Sequence, residues 1–492
     1  MKVLALLLPN EFKNLVIESL GSDNAVKLFT AIQDEREFTS IRLNTFKNLD
    51  TEGLCFKENI FEPVKWCNSG YYIKERPQFT LDPLFHAGGY YVQEASSMYM
   101  NLVANAIEEY CVEHAAKSFF CNSLRILDLC AAPGGKTTHL LSLIGEDSLL
   151  VSNEVIKSRA IILADNVAKW GAKNVIVTNN DPKDFSTLNN FFDFVIVDAP
   201  CSGEGLFRKD KNAIAEWSLA NVKLCSERQK RILSDIWHVL KPGGFMVYST
   251  CTYNHYENDD NIKFITEQLA GEVIKINIPP NSGIIRTSLG GLQFIPGLVS
   301  GEGQFIVLVR KSTEPNGNIN FSYKNKQNKK NNININDKLL ANSFVGKICD
   351  LNGLRLVPNE FVKGYPIVLM DDILFLERNL RVILSGIAIA TIKGKDFIPH
   401  ADLALSQVMH NVIKKNIELP GICVVEVNKC SALKFLAKEP LVFEGKPIGY
   451  LLLVYNGFGL GFVKNLGSRS NNLLPMARRI RMSILAPLLS YS

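Results

Sequence analysis

Short apolar runs alternate with amphipathic segments through the middle of the chain. The apolar runs are "RILDL" (125–129), "SLLVSN" (148–153), "NVIVTN" (174–179), "FDFVIVD" (192–198) and "GFMVYST" (244–250). The helical segments between them are "KTTHLLSLI" (136–144), "IKSRAIILADNVAKW" (156–170) and "LANVKLCSERQKRILSDIWHVL" (219–240), the last of which is stopped by "KPGG" (241–244). This alternation predicts an α/β fold built on a doubly wound parallel sheet.

The composition divides the chain at one place. Residues 311–338 are rich in Asn and Lys and poor in large apolar side chains, which predicts a linker without a packed core. Single cores rarely grow beyond roughly 250–300 residues, so a chain of 492 residues is expected to form several domains. We predict a mixed N-terminal region (1–115) with a helix at "FKNLVIESL", the α/β domain (116–310), and a C-terminal region (339–492) beyond the linker.

Composition and charge exclude few function classes. With 47% hydrophobic residues, 21% charged residues and a net charge of +5, the chain resembles an ordinary soluble protein that tolerates a polyanionic partner without requiring one. The cysteines form no Cys-x-x-Cys pair and no Cys/His cluster at metal-ligand spacing, so reduced thiols and no metal site are expected. The start "MKVLALLLPNEF" lacks a small-residue cleavage site, and no stretch approaches the ~18 apolar residues of a membrane span. These features predict a cytoplasmic protein without a membrane partner.

A glycine-containing loop follows the first predicted strand. Asp128 ends the strand, and the loop continues through Cys130, Ala131, Ala132, Pro133, Gly134, Gly135 and Lys136 into a helix. At this place in a doubly wound sheet, glycines let backbone N–H groups approach a ligand, so the loop is a predicted cofactor site. Its end, Gly135-Lys136-Thr137, fits a phosphate-binding P-loop, but Cys130 stands where that motif requires its first glycine.

Acidic residues at successive strand ends favour a different cofactor. Glu154 follows the second strand, about twenty residues after the glycines, where a carboxylate binds ribose hydroxyls. Asp181 follows the third strand and Asp198 the fourth. Each of these acids alone is commonly a helix cap or a solvated loop residue. Together with Asp128 they predict S-adenosylmethionine as the cofactor.

Two cysteines, Cys201 in "DAPCSGEG" and Cys251 in "YSTCTYN", follow predicted strands at the same edge of the sheet. Two thiols beside a methyl donor suggest methylation of cytosine C5, because a thiolate that adds to C6 raises the electron density at C5 enough for attack on a methyl group. Asp198 lies close to Cys201 in sequence, so it is a candidate to protonate or hydrogen-bond the base at N3. Lys136 is a candidate to stabilise a thiolate. Unpaired cysteines are also common as small buried apolar residues, and their spacing does not decide which of the two attacks.

These motifs resemble those of the RNA (cytosine-5) methyltransferases, most closely the RsmF type that acts on small-subunit ribosomal RNA. The matching stretches are "LDLCAAPGGKTTHL", "SNEVIKSRAIILADNVAKWGAKNVIVTNND", "VIVDAPCSGEGLFRKD", "GGFMVYSTCTYNHYENDDNI", "SIRLNTFK", "YYVQEASSM" and "GEGQFIVLVRK", the last with Gln304 where the family commonly has an aromatic residue. The resemblance implies a Rossmann-like methyltransferase domain in which residues 130–136, Glu154, Asp181 and Asp198 contact S-adenosylmethionine. It also implies that Cys251 is the nucleophile and that Cys201 releases the methylated product.

The resemblance also covers RNA recognition. It implies an RNA-binding role for residues 1–115, and "PIGYLLLVYNGFGLGFVKNLGSRSNNLLPMARRIRM" (447–482) resembles the family's PUA-like tail. The predicted RNA contacts are Arg208, Lys209, Arg478, Arg479 and Arg481. A solvated basic face is the competing interpretation of the arginines in the tail.

The predicted activity is methylation of C5 of a cytosine in 16S ribosomal RNA through a covalent adduct between Cys251 and C6. Cys201, Asp198 and Lys136 are the other predicted catalytic residues. The expected partner is ribosomal RNA or the small ribosomal subunit, with no role for DNA, and a monomer suffices. The alternatives are a transfer RNA cytosine-5 methyltransferase, a P-loop NTPase with Asp198 as its Walker B acid, and a non-catalytic RNA-binding assembly factor.

Overall fold

The computed structural model describes residues 8–34, 38–115, 117–313, 340–358, 361–394 and 396–481. The α-helices of these residues are α1 (Asn10–Leu20), α2 (Ser22–Gln33), α3 (Pro83–His86), α4 (Met100–Ala115), α5 (Gly135–Leu141), α6 (Lys157–Trp170), α7 (Lys211–Glu216), α8 (Leu219–Trp237), α9 (Asp259–Gln268), α10 (Phe344–Asn352), α11 (Met370–Asn379), α12 (Ala401–Leu405), α13 (Gln407–Lys414) and α14 (Lys429–Ala437). Short 3-10 helices lie at Thr45–Lys47, Thr51–Gly53, Lys57–Asn59, Phe79–Leu81, Pro182–Thr187, Glu204–Leu206, Ile367–Leu369 and Met476–Arg478.

The β-strands of the described residues build several sheets. They are β1 (Thr39–Leu43), β2 (Ile60–Pro63), β3 (Gly70–Ile73), β4 (Tyr90–Val92), β5 (Arg125–Asp128), β6 (Leu149–Asn153), β7 (Val175–Thr178), β8 (Phe192–Asp198), β9 (Leu240–Thr250), β10 (Gly271–Ile274), β11 (Ile285–Arg286), β12 (Leu292–Phe294), β13 (Gln304–Lys311), β14 (Leu354–Pro358), β15 (Phe361–Pro366), β16 (Val382–Ser385), β17 (Ile387–Lys393), β18 (Asp396–Pro399), β19 (Ile422–Glu426), β20 (Gly449–Tyr455), β21 (Phe458–Asn465) and β22 (Ser470–Asn472).

The largest sheet is built on the predicted parallel strands. Its order is β11-β12-β13-β9-β8-β5-β6-β7-β16, with β10 beside β13. Neighbours within the group β5 to β9 are parallel, whereas β13 and β12 on one side and β16 on the other are antiparallel. The chain passes from β5 to β6 on one side and later returns to β8 on the other, so a crevice opens where doubly wound sheets bind ligands. The predicted Rossmann-like α/β fold is confirmed.

One edge of this sheet comes from an unexpected part of the chain. β16 lies beyond the predicted linker and pairs antiparallel with β7, placing Val382 opposite Thr178 and Ser385 opposite Ile176. It covers backbone groups of β7 that would otherwise form an open sheet edge. The C-terminal region therefore completes the sheet of the α/β domain. The linker lies outside the described residues from position 314 onward, and the domain boundaries stay predictions.

The end of the helix before β9 differs from its prediction. The sequence pattern predicts that this helix continues to Leu240 and stops at residues 241–244, but α8 ends at Trp237, and Leu240 already pairs with Phe192. The ladder shifts register and resumes with Phe194 opposite Phe245, so residues 241–244 form an irregular insertion at the start of β9. Gly243 adopts a φ of 78°, which favours glycine. Long-range strand pairing thus ends the helix earlier than its local signals indicate.

The N-terminal and C-terminal regions share a hydrophobic core. The N-terminal sheet has the order β2-β3-β1-β4, and the C-terminal sheets have the orders β14-β15-β17-β18 and β19-β20-β21-β22. Ile41 and Tyr90 of the first sheet belong to the same buried cluster as Leu451 and Leu453 of the last. The two ends of the chain are therefore packed together.

Both regions also dock on the end of α6. The Nδ2 atom of Asn44 donates to the carbonyl oxygen of Trp170 at 3.0 Å, and the backbone N–H of Gln407 donates to the carbonyl oxygen of Gly171 at 2.9 Å. These bonds satisfy carbonyl groups that a helix end leaves without intrahelical partners. Within the described part of the chain, no helix has the length and apolar character needed to cross a membrane, and no side-chain group is arranged to hold a metal ion.

Candidate active site

A cavity of about 590 Å³ opens at the carboxyl ends of the parallel strands. Several predicted site residues line it together: Cys130, Ala132, Glu154, Asp181, Asp198, Cys201 and Cys251. Its volume is typical of a small-molecule site. The topology thus places the predicted cofactor carboxylates and both thiols in one space.

The cofactor loop (residues 130–136) wraps around one wall of the cavity. The N–H of Ala131 donates to the carbonyl of Asn153 at 2.8 Å, and Arg159 donates to the carbonyl of Ala132 at 2.9 Å. Gly134 adopts a φ of 112°, which favours glycine, and Gly135 begins α5. Cys130 and Ala132 line the cavity, while Ala131, Pro133, Gly134 and Gly135 shape the loop behind them. Burial and nearby carboxylates raise the pKa of Cys130, so its thiol keeps its proton.

The two outer carboxylates of the cavity differ in how firmly they are held. The Glu154 side chain is only 3% exposed, pairs with Arg159 at 3.2 Å and accepts the N–H of Ile156 at 2.9 Å. Asp181 caps the following 3-10 helix by accepting the N–H of Lys183 at 3.2 Å. Asp181 thus serves as a helix cap and also lines the cavity.

Asp128 lies beneath the cavity and is completely buried. Its Oδ2 accepts the hydroxyl of Thr137 at 2.7 Å, and its Oδ1 has no hydrogen-bond partner in the described structure. Burial raises the pKa of Asp128 to about 7. The first strand-end acid is therefore a buried support of the cofactor loop.

Asp198 lies between the cofactor loop and the two thiols. Its Oδ2 accepts the ammonium group of Lys136 at 2.8 Å, and its Oδ1 accepts the hydroxyl of Ser249 at 2.6 Å. The hydroxyl of Tyr99 in turn donates to Ser249 at 2.8 Å. Burial alone would lower the pKa of Lys136, but Asp198, together with Tyr99 and Asp128, keeps that pKa above its ordinary value. Lys136 therefore neutralises Asp198, which differs from its predicted contact with a thiolate.

The sulfur atoms of Cys201 and Cys251 lie 3.1 Å apart and are not joined by a disulfide. Both side chains are partly buried at the floor of the cavity. The hydrogen bond to Cys251 and burial raise the pKa of Cys201 well above its ordinary value. Cys201 therefore keeps its proton and can donate it in a hydrogen bond to the sulfur of Cys251.

Buried polar residues around the thiols were missed by the sequence analysis. Glu204 accepts hydrogen bonds from the backbone N–H of Tyr253 at 2.8 Å and from Asn254 at 2.9 Å. Glu257 accepts the N–H of Ser202 at 3.0 Å and is also bonded to Asn254 at 2.9 Å. Burial raises the pKa of Glu204 to about 7. These contacts link the Cys201 loop (residues 199–205) to the Cys251 loop (residues 251–258).

Arg42 of the N-terminal region was also missed, although it lies in one of the stretches that carry the family resemblance. Its fully buried guanidinium donates to the hydroxyl of Thr138 at 2.6 Å, to the carbonyl of Gly135 at 3.3 Å and to the Gln93 side chain at 2.8 Å. It also stacks over Trp170, 4.5 Å from the ring centroid. The N-terminal region therefore supports α5 and the cofactor loop from behind.

The predicted RNA contacts fall into two groups. Arg208 forms a buried ion pair with Glu302, which Lys209 also approaches at 3.4 Å. Arg478 is only 11% exposed, with Nε 2.6 Å from Asp165 and an Nη atom 2.7 Å from Asp402. Arg208 and Arg478 are therefore engaged in ion pairs within the protein, and their predicted contact with RNA stays a prediction.

Other arginines remain open to solvent. Arg479 and Arg481 are exposed near the end of the described chain. Arg228 and Arg231 of α8 are exposed and line the cavity, although no motif singled them out. Gln304 is buried and donates to the carbonyl of Thr250 at 3.0 Å, which supports the backbone next to Cys251.

Three parts of the chain match described families. Residues 8–95 match the N-terminal domain of 16S rRNA methyltransferase RsmF, residues 121–310 match 16S rRNA methyltransferase RsmB/F, and residues 423–480 match the methyltransferase RsmF PUA domain. Ribosomal RNA small subunit methyltransferase F of Shewanella piezotolerans is 30% identical over 482 residues, which cover 94% of this chain and 96% of that protein. The protein of the same name from Shewanella loihica is 31% identical over 455 residues, covering 89% and 88%.

Solved structures share the fold. A methyltransferase homolog protein from Pyrococcus horikoshii is 26% identical, with a TM-score of 0.52 over 62% of this chain and 96% of that one. NSun6 from Pyrococcus horikoshii, solved with SFG, is 19% identical, with a TM-score of 0.50 over 62% of this chain and 99% of that one. The second likeness is one of fold alone.

Proposed function

We propose, on the premise that this chain belongs to the ribosomal RNA small subunit methyltransferase F family, that it methylates C5 of a cytosine in 16S ribosomal RNA. The family membership confirms the resemblance drawn from the motifs, including the PUA-like tail. The observation that carries the choice of C5 is the pair of thiols 3.1 Å apart at the floor of the cavity. Methylation of a base oxygen or an exocyclic nitrogen needs no such pair.

The residues that line the cavity support S-adenosylmethionine as the proposed cofactor. Glu154 offers a carboxylate for ribose hydroxyls, and Val155, Ile156 and Pro182 offer apolar surface for a base. When bound, the cofactor supplies an electrophilic methyl group. The carboxylates on the wall disfavour the triphosphate of an NTPase, since like charges repel at short range.

Cys251 is the proposed nucleophile. Its thiolate adds to C6, the electron density at C5 increases, and C5 accepts the methyl group. The Asp198 side chain, held by Lys136 and Ser249, is the proposed partner of N3. As the thiolate adds, N3 takes up a proton from water, and the carboxylate accepts a hydrogen bond from the N3–H until that proton is lost again on elimination. The C5 proton then leaves to a base, the bond between C6 and sulfur breaks, and its electron pair returns to Cys251.

Cys201 is proposed to assist the last of these steps. Because Cys201 keeps its proton, its thiol can donate a hydrogen bond to the sulfur of Cys251 as that sulfur departs. A stabilised thiolate is a better leaving group. Attack by Cys251 and assisted release by Cys201 are the roles that the family resemblance implies for the two residues.

The target base must leave its stack to reach the floor of the cavity, so a loop or distorted helix of the RNA is the expected substrate. Arg228 and Arg231 at the cavity, and the exposed Arg479 and Arg481, are candidates for phosphate contacts. The proposed reaction takes place in the cytoplasm, with the enzyme acting as a monomer on ribosomal RNA or the small subunit.

The test is methyl transfer from labelled S-adenosylmethionine to 16S RNA, to small subunits and to transfer RNA, followed by nucleoside analysis for 5-methylcytosine. We expect Cys251→Ala to abolish transfer while S-adenosylmethionine binding persists. Cys121→Ala, which removes an exposed thiol, is the matched control and should retain activity. Methyl transfer by Cys251→Ala would contradict the assignment, and label found only in transfer RNA would favour the transfer RNA alternative.

The remaining alternatives predict different results in the same preparation. An NTPase would be stabilised against thermal unfolding by ATP rather than by S-adenosylmethionine and would hydrolyse ATP. A non-catalytic assembly factor would bind RNA and transfer no label.

A further inference from the structure

Two side chains hold both neighbours of Cys201. The Nε2 atom of Gln229 donates to the carbonyl oxygen of Pro200 at 3.1 Å, on the N-terminal side of Cys201. Glu257 accepts the N–H of Ser202 at 3.0 Å and the Ser202 hydroxyl, on the C-terminal side. Gln229 also donates to Glu257 at 2.7 Å, which closes a ring of hydrogen bonds around Cys201. We call this pair the Cys201 clamp (Gln229 and Glu257).

The orientation of the Gln229 amide is fixed from its other end. Its Oε1 accepts the hydroxyl of Tyr248 at 3.0 Å and the Nδ2 of Asn261 at 2.8 Å. Because Oε1 serves these donors, the NH₂ group must face Pro200 and Glu257. Gln229 is completely buried, so a rotated amide would leave unpaired polar atoms without water.

Glu257 is bonded as an acceptor. Within the described structure its oxygens receive hydrogen bonds from the Ser202 N–H and hydroxyl, from Gln229 and from Asn254. The residue is completely buried. An amide at this position would direct its NH₂ group at other donors, so the isosteric glutamine is not a conservative replacement here.

A separate buried glutamate holds the other thiol loop. Glu204 accepts the N–H of Tyr253 and the side chains of Asn254 and Trp217, at distances of 2.8, 2.9 and 3.1 Å. The N–H of Gly205 donates to the carbonyl of Cys251 itself at 2.7 Å. Glu204 therefore supports the backbone that follows Cys251, while the Cys201 clamp supports the backbone on both sides of Cys201.

We propose that Gln229 and Glu257 are positioning residues that keep Cys201 in contact with the sulfur of Cys251, and that they govern release of the methylated RNA rather than formation of the covalent bond. This inference rests on the proposed function. It follows from the place where the clamp acts: it bonds the neighbours of Cys201, whose hydrogen bond stabilises the departing thiolate of Cys251. A displaced Cys201 leaves the bond between C6 and sulfur intact for longer.

The experiment compares Glu257→Gln with wild type and with Cys201→Ala, using 16S RNA and labelled S-adenosylmethionine. Denaturing gels report the covalent protein–RNA complex, and nucleoside analysis reports free product. We expect Glu257→Gln to accumulate the complex as Cys201→Ala does, with turnover reduced about 10²-fold and the dissociation constant for S-adenosylmethionine unchanged. A general loss of structure would lower complex formation and turnover together.

Two variants with smaller expected effects and a matched control are compared with Glu257→Gln. Ser202→Ala removes the hydroxyl contact with Glu257 and keeps the backbone one, and Gln229→Met removes the bond to Pro200. Both should accumulate the complex to a smaller extent, and they carry the test if thermal unfolding shows that Glu257→Gln does not fold. Glu227→Gln changes an exposed glutamate of α8 that pairs with Lys230, and it should behave as wild type.

The outcomes separate the inference from the proposed function. If Cys201→Ala yields no covalent complex and wild type yields no 5-methylcytosine, the proposed function fails. If Cys201→Ala yields the complex but the folded clamp variants turn over normally, or fail to form the complex at all, the inference alone is overturned.

Discussion

The cavity has a cofactor end and a thiol end, and different parts of the chain support them. At the cofactor end, Glu154 and the cofactor loop follow strands β6 and β5, and the loop is braced by Arg42, far away in the N-terminal region. At the thiol end, Cys201 and Cys251 are braced by residues less than sixty positions away, among them Glu257. Asp198, bonded to both Lys136 and Ser249, lies where the two ends meet.

Substitutions at the two ends should therefore have separable effects. A substitution at the cofactor end is expected to weaken S-adenosylmethionine binding and to leave formation of the covalent bond with RNA unchanged. A substitution at the thiol end is expected to alter that covalent chemistry and to leave S-adenosylmethionine binding unchanged. Each end also contains a completely buried carboxyl group, Asp128 or Glu204, whose pKa burial raises to about 7.

Cys201→Ala at the thiol end should give the largest effect. We expect turnover to fall about 10²–10⁴-fold and a covalent protein–RNA complex to persist, because the departing sulfur of Cys251 loses its hydrogen-bond donor. A band of retarded mobility on a denaturing gel, absent from Cys201→Ala/Cys251→Ala, is the measurement. S-adenosylmethionine affinity should stay within twofold of wild type; a large loss would show that the two ends are coupled.

Asp128→Asn tests the buried carboxyl of the cofactor end. The pKa of Asp128 is raised in the folded protein, so the folded state binds the proton more tightly than the unfolded state between about pH 4 and pH 7. The stability from this group is present below pH 4 and lost as pH rises through about 7, a change of up to about 4 kcal/mol. Urea unfolding from pH 5 to pH 8 should show wild type losing more stability than Asp128→Asn. Parallel curves would contradict the expected ionisation.

Arg42→Met tests support of the cofactor end from the N-terminal region. The change leaves the carbonyl of Gly135 and the hydroxyl of Thr138 without their buried donor, which should lower the free energy of unfolding by about 2–3 kcal/mol. A looser cofactor loop should also weaken S-adenosylmethionine binding about tenfold, measured by calorimetry. Arg76→Met, at an exposed arginine of the same region, is the control. Unchanged affinity in Arg42→Met would reduce the role of Arg42 to stability alone.

Glu154→Gln tests whether Glu154 binds the cofactor. Losing a charged acceptor for ribose hydroxyls should raise the dissociation constant for S-adenosylmethionine about tenfold and leave kcat at saturation unchanged. Asp181→Asn should have a smaller effect, because Asp181 already serves as the cap of the following 3-10 helix. An equal or larger effect of Asp181→Asn would reverse the expected ranking of the two carboxylates.

The sequence predicts the residues that line the cavity better than the buried residues that hold them in place. The runs of apolar residues place β5 to β9, and the residues after each strand must gather at one edge of the sheet, so Glu154, Asp198, Cys201 and Cys251 could be proposed together. Periodicity does not reveal which buried polar groups bond to one another. Glu257 looks like one acid in the charged stretch "YENDDN" until the fold brings it against Ser202.

Distant contacts explain the other differences between prediction and structure. β16 joins the sheet although it lies more than two hundred residues after β7, and no local pattern encodes that pairing. Arg478 lies in a basic run that indicates an exposed nucleic-acid-binding face, but Asp165 and Asp402, which pair with it, come from elements far away in sequence. Composition near a residue describes its neighbours in sequence, and burial depends on its neighbours in space.

The smallest expected effect lies outside both ends of the cavity, in the adjacent tail residues Arg478 and Arg479. Arg479 is exposed, so Arg479→Ala should weaken RNA binding modestly and reduce the slope of log affinity against log salt by about 1, with S-adenosylmethionine affinity and covalent complex formation unchanged. Arg478→Ala should instead lower the free energy of unfolding, because Asp165 and Asp402 lose their shared partner, and should leave the salt slope nearly unaltered. Filter binding at several salt concentrations and urea unfolding of both variants make the comparison, and a salt slope that changes with Arg478 rather than Arg479 would mean that the ion pair opens when RNA binds.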